Sequence, residues 1–118
     1  MDAVKLVSRW RIFEMDLWDR EAIELLGPGL IDFRKDDTGS FRFIAVEGWT
    51  DCRPVQTDNG PGVELSWDGT DELDRASGRG TAVLQRDGSL RGRIYFHLGD
   101  DSGFRAERFD RPGHSDPL

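Results

Sequence analysis

Three clusters in this 118-residue chain bring together side chains that can do chemistry. The run Ser66-Trp67-Asp68-Gly69-Thr70-Asp71-Glu72-Leu73-Asp74 concentrates carboxylates, and several oxygen ligands are what a hard cation such as calcium requires. Their order does not follow a calcium-loop spacing, and acidic loops are ordinarily solvated turns, so no metal is expected there. His97-Leu98-Gly99-Asp100-Asp101-Ser102 holds the residue types of a serine-hydrolase triad. A triad, however, is assembled in space from separate elements, and no nucleophile elbow precedes Ser102. A strand-end His beside a turn is the expected reading. An acid–base pair of His97 with a carboxylate remains as a hydrolase-like alternative.

The third cluster is less local. Glu14 alternates with Trp10 and Ile12, and Glu47 alternates with Phe41, Phe43 and Ala45. If those aromatic faces turn inward, both carboxylates follow them, and each then needs a donor. Arg79, Arg93, Arg105, Tyr95 and His97 are the available partners, with Trp67 as an aromatic surface. Converging polar groups in an aromatic lumen are how small-ligand sites are built. Glu14, Glu47, Trp67, Arg79, Arg93, Tyr95 and His97 therefore form the candidate ligand-binding set. No catalytic residue or cofactor is assigned. Gly78-Arg79-Gly80 lacks the spacing and the Lys-Ser/Thr signature of a phosphate loop and reads as a close approach or bulge at a strand start. Cys52 follows Asp51, whose charge disfavours a thiolate nucleophile.

These groups must be held by short strands. Arg9–Met15, Leu30–Arg34, Phe41–Trp49, Val63–Trp67, Thr81–Arg86, Leu90–Leu98 and Phe104–Phe109 are rich in aromatic and β-branched residues. Turn signals separate them at Asp36–Gly39, Asp58–Gly62, Asp68-Gly69, Asp87-Gly88 and Gly99–Gly103. Asp87-Gly88 suits a two-residue hairpin turn. Arg53–Thr57 is a further short strand that Pro54 confines to an edge or bulge. Asp16–Leu26 instead carries helix formers and ends at Gly27-Pro28, with Asp16 or Asp19 as cap and Leu17, Trp18, Ala22, Leu25 and Leu26 along one core-facing stripe. The reading is a mainly β domain over residues 1–110 and a frayed tail over 111–118. Seven to eight strands form an antiparallel meander that closes into a small barrel, with a β-sandwich as the alternative.

Composition narrows the partners. Seven Phe and four Trp supply the buried area that a 33% charged chain otherwise lacks, which argues against disorder. A formal charge of −7 repels polyanions, so neither nucleic acid nor an anionic membrane is an expected partner. A single cysteine allows no internal disulfide, and the first residues lack a signal-peptide pattern, so a reducing cytoplasm is expected.

The segments Trp10-Arg11-Ile12, Trp18-Asp19, Ser66–Glu72, Gly78-Arg79-Gly80 and Tyr95–Phe104 together resemble a group of short, uncharacterised bacterial proteins, over nearly the whole chain from Trp10 to Phe109. That group has no assigned activity, so the resemblance implies no functional residue. The early Trp followed by a meander is also similar to lipocalins, in architecture alone. The leading expectation is a noncatalytic cytoplasmic barrel that binds a small molecule in its lumen or mouth. The alternative is an interaction module that presents its acidic surface to a basic protein. A ligand site requires an enclosed cavity. An interaction module requires a filled core and an exposed apolar patch rimmed by acids.

Overall fold

The computed structural model describes residues 4–109. Eight strands follow in chain order: β1 Ser8–Met15, β2 Gly29–Phe33, β3 Thr38–Phe43, β4 Val46–Thr57, β5 Gly60–Asp71, β6 Asp74–Leu84, β7 Leu90–Phe96 and β8 Asp101–Arg108. Each pairs antiparallel with its sequence neighbour, and β8 returns to β1. The sheet is thus a closed up-and-down barrel, not a sandwich, with one short helix, α1 (Arg20–Ile23), after the first strand. Beyond Asp51, β4 outruns β3 and pairs only with β5. Pro54, which has no amide hydrogen, occupies that one-sided stretch, where its missing donor costs the sheet nothing. The expected tail, 111–118, lies outside the described residues. No helix among those described is long and apolar enough to cross a membrane.

Alternation turns the apolar side chains inward, and they fill the barrel. Phe41, Phe43, Trp67 and Phe96 form a circuit of ring contacts: 5.7 Å from Phe41 to Phe43, 5.0 Å from Phe41 to Trp67, 5.2 Å from Trp67 to Phe96 and 6.3 Å from Phe43 to Phe96. Trp18 closes over Phe43 at 5.7 Å. Trp67 Nε1 donates to the Tyr95 carbonyl at 3.1 Å across β6, which requires β6 to carry no side chain there. Gly78 meets that demand, since a Cβ at this position would come 2.8 Å from Trp67 Nε1. The expected close approach at Gly78-Arg79-Gly80 is therefore present, although inside β6 rather than at its start. At the other end Trp10 Nε1 donates to the Leu6 carbonyl at 3.0 Å. The Arg108 guanidinium covers the Trp10 ring at 4.6 Å and bonds the Lys5 carbonyl at 2.7 Å. This latch ties both ends of the described chain across the barrel floor.

Several local expectations are corrected. Phe41–Trp49 is two strands, because the chain turns at Ile44-Ala45 with Ile44 at φ +55°. Its amide donates to the Ile23 carbonyl at 2.9 Å, so α1 holds a turn that no Gly or Asn announces. The turn reverses the inward face: Val46 is buried and Glu47 is exposed. A β-bulge between Ile12 and Glu14 does the same in β1, turning Met15 inward and Glu14 outward. Asp68-Gly69 is not a turn. It lies inside β5 opposite Trp49 and Gly48, and the chain reverses at Glu72-Leu73. Asp87-Gly88 belongs to a longer loop in which Gly88, at φ +88°, follows a turn closed by its own amide on the Gln85 carbonyl. Leu98 leaves the face of Leu90, Ile94 and Phe96 and sits exposed in the β7–β8 turn at φ +58°.

The helix is also shorter than expected. Asp19 caps α1 by accepting from the Ala22 amide at 2.9 Å, but the helix ends at Ile23 with Glu24 as its C-cap, and Gly27, at φ +122°, lies beyond it in the connection to β2. Only one helical turn forms, so of the expected stripe only Trp18 packs firmly on the core. Ile23 is fully buried, whereas Leu17, Leu25 and Leu26 face solvent.

Candidate functional site

Antiparallel partners point to the same side of a sheet, so outward side chains of neighbouring strands fall into rows. In one row Asp51 faces Ser66, Ser66 faces Arg79, Arg79 faces Tyr95 and Tyr95 faces Asp101. In the next, Arg53, Glu64, Thr81, Arg93 and Gly103 follow one another, and beyond them Val83, Arg91 and Arg105. These rows line two neighbouring grooves on the outside of the wall. One, of about 450 Å³, runs from Asp51 and Arg53 to Arg79 and Tyr95. The larger, of about 720 Å³, lies over β6, β7 and β8 and includes Glu14, Thr81, Arg91, Arg93, Tyr95 and Arg105.

The structure brings part of the expected ligand set together, on the opposite side of the wall from the lumen. Glu14, Arg93 and Tyr95 share the larger groove, and Arg79 shares the smaller one with Tyr95. Glu14 accepts from Arg105 at 3.1 Å, a pairing the bulge creates by turning Glu14 outward. Arg93 spans two carboxylates, Asp16 at 3.2 Å and Asp101, and the Asp101 hydrogen bond raises its already high pKa. Arg79 lies 5.8 Å from the Tyr95 ring centroid and has no carboxylate partner among the described residues. Glu47 is elsewhere, in a smaller groove with Arg42 and Trp49. Trp67 is buried in the lumen, where its edge contacts leave no open face. His97 stands at the rim, its backbone amide donating to the Ser77 carbonyl at 2.7 Å.

The triad-like residues do not converge. Ser102 is buried, accepts from the amides of Asp16 (3.1 Å) and Leu17 (3.3 Å), and donates to the Gly103 carbonyl at 2.9 Å. Its hydroxyl is a structural pin between β8 and the segment leading to α1. Asp101 is committed to Arg93. Cys52 is buried against Thr50 Oγ1 at 3.4 Å, and burial pushes its thiol pKa up, with Asp51 adding to the rise. Among the described residues no group of three or more His, Cys, Asp or Glu side chains is placed to hold a metal ion.

A second surface was not legible in the chain. The segment 16–28 and the turns at 44–45, 72–73 and 97–100 all connect strands at one end of the barrel. Five of the exposed large apolar side chains lie in these connections: Leu17, Leu25, Leu26, Leu73 and Leu98. Leu73 and Leu98 are 94% and 95% exposed, which makes them solvated outright rather than marginal. The connections at the opposite end expose no large apolar side chain among the described residues. The leucine-bearing end also carries Asp19, Glu21, Glu24, Asp71, Glu72, Asp74 and Asp100. At this end Arg20 and Arg75 are paired with Glu24 and Asp68, Glu24 also accepts from Arg11 at 2.7 Å, and the Arg42 guanidinium lies beside Gly27.

Comparison of the chain with family models and with curated proteins finds no match. The functional reading therefore rests on these two surfaces. The residues that reasoning from sequence underweighted are Arg91 and the five leucines. Period-two alternation had already put Arg91 on one face with Arg93 and Tyr95. That Arg105 stands opposite Arg91 follows only from the β7–β8 register.

Proposed function

We propose that this protein is a noncatalytic interaction module whose leucine-bearing end docks a basic, amphipathic segment of a partner protein. The observation that carries the reading is the confinement of five exposed leucines to one end of a barrel whose core is filled. Scattered surface leucines need no explanation, but a one-sided set among acids matches a docking face. Charge complementarity names the occupant: apolar contacts for the leucines, and Lys or Arg for the surrounding carboxylates. The same acids oppose an anionic bilayer. The outer wall, with Glu47, Asp51, Arg53, Glu64 and Arg79 exposed, also has the reverse polarity of a membrane-spanning barrel.

The early Trp10 and the closed meander support a lipocalin-like reading of the architecture, and a lone free thiol supports a reducing, cytoplasmic setting. The filled lumen moves small-molecule binding away from the barrel interior.

The test uses a short helical Leu/Lys peptide as probe, with a Leu/Glu peptide of the same apolar pattern and phosphatidylserine vesicles as comparisons. Backbone NMR shifts on adding the Leu/Lys peptide are expected at residues 17, 25, 26, 73 and 98. They should fade with salt and weaken in Leu73→Ser and Leu98→Ser. Equal response to the Leu/Glu peptide, binding to the vesicles instead, or self-association through this end would overturn the proposal.

A further inference from the structure

The larger outer groove poses an electrostatic problem that the docking reading does not address. In a chain of formal charge −7, three guanidinium groups, Arg91, Arg93 and Arg105, line one concavity of about 720 Å³. Two are balanced: Arg93 by Asp16 and Asp101, and Arg105 by Glu14. Arg91 has no carboxylate partner among the described residues. It faces Arg105 directly across β7–β8 and the apolar Val83 across β6–β7. Like charges directly opposite in an antiparallel pair are destabilising. Glu14 offsets that cost on the Arg105 side, which leaves Arg91 as the unbalanced charge of the groove.

The geometry around Arg91 is that of a receptor. Gly103, opposite Arg93, leaves β8 without a side chain at the centre of the groove, and a Cβ there would come 2.8 Å from Asp16 Oδ2. That gap is what allows Arg93 to reach across to Asp16, so the wall of the groove is braced before any ligand arrives. Thr81 and Gln85 offer neutral hydrogen-bonding groups on the β6 side, and the half-exposed Tyr95 ring marks the far end. The volume falls within the range that holds small organic ligands. Arg91 and Arg105 line the same groove, with Arg105 held against Glu14 and the Phe13 ring on its β1 side. Guanidinium forks suit an oxyanion, which each can bind with paired hydrogen bonds.

We infer that this groove is a binding site for a small organic oxyanion, a phosphate ester or carboxylate, bridged between Arg91 and Arg105 with its body toward Tyr95. The site is separate from the leucine-bearing end and stands or falls independently of it.

The experiment titrates phenyl phosphate and benzoate into the full chain at low ionic strength, followed by backbone NMR and calorimetry. Shifts confined to residues 81, 91–95 and 103–105 are expected, and the tighter of the two probes tells phosphate from carboxylate. Arg91→Gln should weaken binding about tenfold or more, as the loss of a charge-assisted hydrogen bond to a partly desolvated group implies. Arg105→Gln should do likewise, and Arg53→Gln on the neighbouring wall should not. A second readout separates a ligand site from a structural one: unliganded Arg91→Gln should be no less stable than wild type, because it relieves repulsion and breaks no pair. Three outcomes overturn the inference: no localised shifts, shifts spread evenly over all the arginines, or an unliganded Arg91→Gln protein that unfolds more easily than wild type.

Discussion

Replacing Glu72-Leu73 by Asn-Gly should stabilise the protein. Both residues lie in the left-handed region, at φ +51° and +78°, in a two-residue turn flanked by the pair Asp71 and Asp74. That conformation costs an ordinary L-residue roughly 1–2 kcal/mol, whereas Asn tolerates it and Gly adopts it freely. Leu73 is 94% exposed, so its side chain contributes almost no buried area that the substitution could lose. Against the gain stands the greater freedom of Gly in the unfolded chain, about 0.5–1 kcal/mol. The balance is a net gain of about 1 kcal/mol, or a few degrees in melting temperature for a domain of this size. Urea denaturation of the two proteins measures it directly, as a higher midpoint with an unchanged slope. The same change deletes a leucine whose full burial against a partner is worth about 1.5–3 kcal/mol, so docking should weaken while stability rises. A variant less stable than wild type would refute the reasoning, because Leu73 would then hold some native contact and would not be a residue kept for a partner.

Three further outcomes follow from other parts of the barrel. Cys52 should resist thiol reagents in the native state and react only on unfolding, since burial both covers it and raises its pKa; rapid native modification at neutral pH would contradict this placement. Glu24, Asp36 and Asp87 have pKa values lowered chiefly by hydrogen bonds from Arg11, Thr38 and Ser89 respectively. Their folded values lie below the unfolded ones, so their stabilising contribution is complete above about pH 5 and is lost as pH falls through roughly 4 and below. Urea midpoints should therefore decline on acidification, and Asp87→Asn should flatten that decline. Arg108→Ala removes both the cation over Trp10 and the bond to the Lys5 carbonyl, and should cost about 1–2 kcal/mol with a change in Trp emission. Unchanged stability would mean that the floor latch does not hold the barrel closed.

Much of the fold was legible because it depends on local rules. Turn residues at short intervals and period-two alternation identify a meander, and an eight-strand meander has few ways to hide its edges. Asp19 marked the start of the helix because capping is chemistry within one turn of chain, whereas the helix stops at Glu24, short of Gly27. The failures share one cause. The turn at Ile44-Ala45 carries no Gly or Asn and exists because Ile23 supplies a carbonyl from another element. The bulge in β1 carries no sequence mark either, since its register is set by β8. Each adds one step to an alternating strand, and one step moves every later side chain to the other face. That is why Glu14 and Glu47, which were to follow the aromatic faces if those turned inward, lie outside.

The amino-acid order by itself determined a small, aromatic-cored antiparallel β domain with an acidic balance and no local catalytic or metal motif. It also determined that Arg91, Arg93 and Tyr95 share a face, because a strand repeats every two residues whatever surrounds it. Only the tertiary structure decided that this face looks outward, that Arg105 stands opposite Arg91, and that five leucines from three connections lie at one end. Those facts depend on register and closure, which are contacts between residues far apart in the chain, and no local pattern encodes them.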